Sequence, residues 1–206
     1  MSESVAGVDV SRETFEGLEH FADLVRKWTQ RINLISPATL PDLWNRHICD
    51  SAQLYTYAPD HFGHWVDLGS GGGFPGIVLA IIAAEHQPDA EFTLIESDQR
   101  KATFLRTAKR ELGLNITVHA KRIADVAPSR ADVVTARALS PLPDLLGQVA
   151  QHMHPDGSAL LPKGRSAKEE LAAARASWSF ALEEYPSFTD PDARLLKIQR
   201  ITPLGA

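Results

Sequence analysis

An apolar run, Trp65-Val66-Asp67-Leu68, enters Gly69-Ser70-Gly71-Gly72-Gly73-Phe74-Pro75-Gly76, and a second apolar run, Ile77 to Ala84, follows at once. Few backbones satisfy this pattern. Glycines directly after a strand-like run mark a turn that takes conformations closed to other residues and lets a ligand approach the main chain. Pro75 suits the first turn of a helix, where a missing N–H costs little. The segment reads as strand, glycine turn and helix, with a ligand at the carboxyl edge of a sheet. A tight structural turn is the competing reading. Five glycines in eight residues favour the ligand.

From His64 onward the pattern alternates. Strand candidates are Trp65–Leu68, Phe92–Ile95, Ile116–His119, Val133–Thr135 and Ala159–Leu161. Helices are predicted over Pro75–Ala84, Asp98–Leu112, Pro141–Met153 and Ser166–Ala176, which implies crossover units on a parallel sheet. Phe180–Tyr185 and Ala193–Ile201 read as strands joined by a Pro- and Asp-rich loop, an antiparallel hairpin. Upstream, Ser11 caps a helix carrying Phe15, Leu18, Phe21, Leu24, Val25, Trp28 and Ile32, and a second helical stretch follows Pro41. The expected architecture is α/β: a helical cap over residues 1–60 packed on a core over 61–206. Five parallel strands closed by an antiparallel pair is the arrangement of Rossmann-like class I methyltransferases.

The apolar fraction of 44% and charged fraction of 23% suit one globular domain in 206 residues. Cys49, the single cysteine, excludes an intramolecular disulfide and fits a reducing, cytoplasmic setting. The first ten residues lack the apolar core of a signal peptide, and no apolar run is long enough to span a bilayer. A soluble chain that binds no membrane is expected. The net charge of −5 argues against a nucleic-acid partner on average, although basic residues cluster at Arg26-Lys27, Arg46, Arg100-Lys101 and Lys121-Arg122.

Gly71, Gly73 and Gly76 satisfy the dinucleotide pattern G-x-G-x-x-G, which also admits a nicotinamide cofactor. Asp67 separates the ligands: a carboxylate there sits poorly beside a pyrophosphate and suits the ammonium and sulfonium of S-adenosylmethionine (AdoMet). Glu96 ends the second strand, where a carboxylate accepts both ribose hydroxyls of either nucleoside. No Ser-His-Asp set, nucleophilic cysteine or metal-ligand spacing stands out, and His152 and His154 read as helix C-terminal residues.

Asp67-Leu68-Gly69-Ser70-Gly71-Gly72-Gly73-Phe74-Pro75-Gly76 resembles the D-[IL]-G-S-G-[AG]-G-F-P-G signature of the RsmG (GidB) family. Trp28 with Arg31-Ile32-Asn33-Leu34, Arg46-His47-Ile48-Cys49-Asp50-Ser51, Glu96-Ser97 with Lys101 and Phe104-Leu105, Arg137-Ala138 and Lys163-Gly164 resemble its other motifs in order. The departures are Thr29 for Asn, Gly72 for the commoner Ala, Arg100 for Lys, and Ala124 where Glu is frequent. The resemblance implies AdoMet-dependent methylation of a guanine N7 in 16S ribosomal RNA, on naked RNA or the small ribosomal subunit, by a monomer without a metal.

It further implies a cofactor site of Asp67, Gly69, Ser70, Gly71, Gly73, Phe74, Glu96, Ile123, Ala124 and Arg137, with backbone contacts to adenine at Ile123-Ala124. Arg137 and Lys163, beyond two strand ends, are expected to position the acceptor at the centre of a basic surface with Arg46, Arg100 and Lys101. A salt bridge is the competing reading for each. Arg122 either holds phosphate or pairs with Asp125; His47 and Asp50 either line the cap's inner face or only pack. Guanine N7 is already a lone-pair nucleophile, so no general base is expected. The competing functions are a small-molecule or protein methyltransferase, a nicotinamide oxidoreductase, and a non-catalytic AdoMet-binding module.

Overall fold

A computed structural model describes residues 3–205. Strands β1 (Glu3–Val5) and β2 (Val8–Val10) form a small hairpin not anticipated from the sequence. Its turn places Ala6 and Gly7 at φ 51° and 85°, and an Ala-Gly pair lacks the Asn-Gly or Asp-Gly signature of such turns. Helix α1 (Arg12–Thr29) starts where Ser11 Oγ accepts the Thr14 N–H, and it buries Leu18, Phe21, Leu24 and Val25.

The stretch after Pro37 is helical but irregular. A 3₁₀ segment, Pro37–Asp42, leads through a π-helical Trp44–Cys49 and one turn of α2 (Asp50–Ala52) into a second 3₁₀ segment, Gln53–Tyr57. Pro37 is tolerated at the first position, but Pro41, inside the stretch, removes an N–H that a continuous α-helix would use.

The core alternates as expected: β3 (His64–Leu68), α3 (Gly76–His86), β4 (Glu91–Ile95), α4 (Gln99–Leu112), β5 (Ile116–His119), β6 (Ala131–Ala136), α5 (Leu142–His152), β7 (Met153–Lys163), α6 (Ala167–Arg175), β8 (Trp178–Pro186) and β9 (Arg194–Pro203). The sheet order is β5-β4-β3-β6-β7-β9-β8, parallel except that β9 runs antiparallel to both neighbours. Strand order reverses between β3 and β6, so the carboxyl ends of β3, β4 and β6 open onto one crevice. Strand β7 begins six residues earlier than expected because the ladder with β6 carries an irregularity between Ala131 and Val133.

α3 is apolar on every face because the sheet covers one side and α1 the other. The buried cluster that includes α3 takes in Phe21, Ile48 and Leu54 from the first 60 residues with Trp65, Leu94 and Phe104 from the core. Trp65, fully buried, stacks on Phe92 at 5.7 Å. No helix among the described residues is long and apolar enough to cross a membrane.

Candidate active site

The strand ends and the helical stretch over residues 37–57 enclose a cleft of about 1200 Å³. Its floor is the glycine loop, whose Gly69, Gly71 and Gly73 take φ of 65°, 53° and 87°, values costly for other residues. Ser70 N–H donates to Ile95 O at 3.1 Å and Gly73 N–H to Ser70 O at 2.7 Å, so the loop is tied to β4 and to itself. Glu96 completes the cradle. Its Oε2 accepts the Gly71 N–H at 2.8 Å and its Oε1 the Asp98 N–H at 2.7 Å. Each oxygen keeps lone-pair capacity, and the residue lines the cleft. Asp98 in turn caps α4 through the Arg100 and Lys101 N–H groups, which hold its carboxyl below the usual range.

Asp67 does not line the cleft, which corrects the expectation of a ligand-facing carboxylate. It lies behind the loop, 1% exposed, where Oδ1 accepts the Thr135 hydroxyl at 2.8 Å and Oδ2 has no partner. Thr135 accepts from the Trp65 indole N–H at 3.1 Å. Burial pushes the Asp67 carboxyl up to about 6, against the opposing pull of the Thr135 bond. Gly73 is also absent from the lining: a Cβ there would meet Ile77 at 2.7 Å and Phe21 at 3.0 Å. Both residues shape the loop from beneath: Asp67 is held against Thr135 of the neighbouring strand, and Gly73, at φ 87°, is packed against Phe21 and Ile77. Gly69, Ser70, Gly71, Gly72 and Phe74 line the cleft itself.

Ile123 and Ala124 line the far wall within a 3₁₀ turn, Ile123–Asp125. That turn is anchored by α5: the fully buried His152 donates Nε2–H to Ile123 O at 3.3 Å, and Gln151 donates to Val126 O at 3.2 Å. This bond leaves His152 Nδ1 to accept from Ser129 Oγ at 3.0 Å, and burial lowers the ring's pKa. His152 is therefore a neutral support for the cleft wall and not a charged helix C-terminal residue. Arg122 lines the cleft beside Lys121 and makes no salt bridge to Asp125 among the described residues.

The opposite wall is built around Arg137. Its Nη1 reaches Asp50 Oδ2 at 3.3 Å and Arg46 O at 3.4 Å, and Nη2 donates to His47 Nδ1 at 2.9 Å. The guanidinium lies 5.3 Å from the centre of the Phe74 ring. Arg137 is donor-only, so the neutral His47 carries its proton on Nε2, which bonds Thr39 Oγ1 at 2.9 Å. Burial first, then the charges of Arg137 and Arg46, lower His47 to about 4. Asp50 is shared: Oδ1 accepts from Gln53 and from Thr189 Oγ1, the latter in the loop between β8 and β9.

Lys163 Nζ meets Glu170 at 2.8 Å and Ser140 O at 3.0 Å. Each cation thus has the carboxylate partner of the competing reading, and both still line the cleft. Arg46, Lys101, Lys121 and Arg122 complete its basic lining, whereas Arg100 points elsewhere, 74% exposed and 3.7 Å from Asp98.

His47, Asp50 and Thr189 enter the site through tertiary contacts. The Arg-His-x-x-Asp spacing marked the first two in the sequence; nothing local marked Thr189. The cleft suits AdoMet in three respects. A Cβ on Gly71 would meet nothing closer than Gly69 O at 3.8 Å, so the space above the loop is free. Glu96 offers anchored acceptors for a diol, and the Ile123–Ala124 backbone borders the same space.

Residues 14–196 match the family model described as GidB, rRNA small subunit methyltransferase G. A ribosomal RNA small subunit methyltransferase G of Cereibacter sphaeroides is 57% identical over 192 residues, 93% of this chain and 92% of that one. Its counterpart in Ruegeria pomeroyi is 51% identical over 195 residues, 95% of each chain. Among solved structures, the Streptomyces achromogenes O-methyltransferase TomG in complex with SAM superposes with a TM-score of 0.57 at 14% identity, covering 89% of each chain. M. jannaschii TYW2 in complex with AdoMet gives a TM-score of 0.56 at 13% identity over 85% of this chain and 80% of that one. The structural likeness carries the class I methyltransferase fold, and the sequence likeness carries the family: this chain belongs to the GidB family of rRNA small subunit methyltransferases G.

Proposed function

We infer that this protein transfers a methyl group from AdoMet to N7 of a guanine in small-subunit ribosomal RNA, acting as a cytoplasmic monomer. The observation that carries the reading is the division of one cleft into two unlike halves. One half pairs the glycine loop with the anchored Glu96; the other gathers Arg46, Arg137 and Lys163. At about 1200 Å³ the cleft exceeds the roughly 300–1,000 Å³ typical of single-ligand pockets, which leaves room for a flipped-in base beside the cofactor.

AdoMet, when bound, supplies an electrophilic methyl on a sulfonium. Glu96 is assigned the ribose hydroxyls, Gly69, Ser70, Gly71 and Phe74 the methionyl side, and Ile123 and Ala124 the adenine. Asp67 and Gly73 act from behind the loop. Guanine N7 brings its own lone pair, so the chain needs only to orient the base and exclude water. Arg137 retains donors on Nη2 and Nε beyond its bonds to Asp50, Arg46 and His47, and these suit guanine O6. Lys163 suits a backbone phosphate. His47, lowered to about 4 and with its Nδ1 lone pair taken by Arg137, is a poor proton acceptor, in keeping with a reaction that calls for no base. In this reading residues 1–60 form the cap that closes the cleft over the 61–206 methyltransferase domain.

Calorimetry with S-adenosylhomocysteine and NAD, paired with labelled-methyl transfer into small-subunit RNA from cells lacking this protein, tests the reading. Binding of the nucleoside but not NAD, and N7-methylguanosine as product, are expected. Glu96→Gln, which exchanges one acceptor oxygen for a donor, should weaken S-adenosylhomocysteine by about 1–3 kcal/mol. Tight NAD binding without nucleoside heat, or transfer confined to small molecules or protein, overturns it.

A further inference from the structure

Phe188 is 68% exposed, the most exposed large hydrophobic side chain among the described residues. Single exposed apolar side chains are common on protein surfaces, but the main chain that carries this one is held in place. Gln53, itself only 5% exposed, commits both ends of its amide to the segment that carries it. Oε1 accepts the Phe188 N–H at 2.7 Å, while Nε2 donates to Ser187 Oγ at 3.3 Å and to Asp50. Next to the ring, Thr189 Oγ1 donates to Asp50 Oδ1 at 2.9 Å, and Asp50 is the carboxylate that meets Arg137.

The loop is closed on itself as well. Ser187 N–H donates to Ala193 O, Ala193 N–H to Asp190 O, and Asp192 N–H to Asp190 Oδ1. Thr189, Asp190 and Ala193 line the cleft on its Arg137 side. A hydrogen-bonded loop thus presents one exposed ring at the rim of the acceptor half, next to Thr189, which is two hydrogen bonds from Arg137 through Asp50.

We propose that Phe188 is a specificity-determining residue that stacks on a nucleobase flanking the methylated guanine. The inference rests on the assignment of RNA as acceptor. An unpaired RNA base offers a π-face to any exposed aromatic, and a ring carried on hydrogen-bonded main chain needs no ordering of its backbone on stacking. The charges beside the ring are partly answered: Asp192 pairs with Arg165 at 2.9 Å, Asp190 Oδ1 is taken by the Asp192 N–H, and Arg46 lies in the same cleft.

The test measures steady-state methyl transfer to small ribosomal subunits lacking the mark, using wild type, Phe188→Ala, Phe188→Leu and Phe188→Trp of the full chain. Base–aromatic stacking corresponds to about a ten-fold change in affinity toward the lower end of its usual range. Phe188→Ala should therefore raise KM for the subunit about ten-fold with kcat within two-fold and S-adenosylhomocysteine affinity unchanged. Phe188→Trp should match wild type, and Phe188→Leu, of similar hydrophobicity but without a ring, should behave like Ala. A KM for Phe188→Ala within two-fold of wild type, or full rescue by Leu, overturns the stacking role while leaving the RNA assignment intact. A wild-type protein that methylates no subunit RNA overturns both.

Discussion

The Asp67 carboxylate shows how a single side chain sets a cost against a use. Enclosed behind the glycine loop with one oxygen unpartnered, it holds its proton to about pH 6, against 3.8 for an ordinary aspartate. The unfolded chain releases this proton near pH 4, and the folded protein only near pH 6. Folding takes up a proton between those values, so this group's contribution to stability falls as pH rises through the window and stays low above it. Asp67→Asn removes the titration and leaves a carbonyl for the Thr135 hydroxyl. Denaturant titrations at pH 4 and pH 7.5 should show the variant gaining about 2–3 kcal/mol on wild type between the two. A difference independent of pH would mean that Asp67 ionises normally.

At the level of elements, the close fit of α3 on β3 and β4 is decided at Gly76. A Cβ there would lie 2.4 Å from Leu94 Cδ2 and 2.7 Å from Asp67 Oδ2, both fully enclosed. The helix starts where the loop ends, so pushing it off the sheet also moves the main chain that lines the cleft. Gly76→Ala should cost about 1–3 kcal/mol by overpacking and weaken S-adenosylhomocysteine with it. Thermal melting with and without the nucleoside reads both effects; loss of neither would show that the helix shifts freely. Gly72 is the milder case. Its Cβ would sit 2.9 Å from Leu34 O, on an irregular segment that has fewer constraints than a sheet.

For the whole molecule, Arg137 is the junction. Its side chain joins the core strand that carries it to Asp50, Arg46 O and His47 in the 37–57 stretch, and through Asp50 to Thr189 in the β8–β9 loop. Three segments far apart in the chain meet at one guanidinium that is largely enclosed. Arg137→Ala therefore loses more than a donor in the cleft. It should destabilise the fold by about 1–3 kcal/mol, since Asp50 keeps its charge without its cation. A double-mutant cycle with Asp50→Asn, read by urea unfolding, should return a coupling energy of about 1 kcal/mol or more. Strict additivity would mean that the pair contributes nothing and that the three segments are held by packing alone.

The glycine loop, the alternation of strands and helices, and the antiparallel ending could all be read from the chain, because each depends on neighbours a few residues apart. Periodic apolar residues choose between strand and helix, and dense glycines leave a tight turn as the economical solution. Ser11, Asp98 and Glu96 belong to the same local class: two cap helices and the third follows the end of its strand. What tertiary structure alone decided is which face each side chain presents and whom it meets. Asp67 and Gly73 sit in the signature with Gly69 and Gly71 yet turn away from the cleft, because Asp67 is enclosed against Thr135 and Gly73 is packed against Phe21 and Ile77. His152 supports Ile123 across 29 residues, and Gln53 holds Phe188 across 135. Pairings at such separations come from how the elements stack once the apolar surfaces are buried, and no local pattern encodes the distance between their partners.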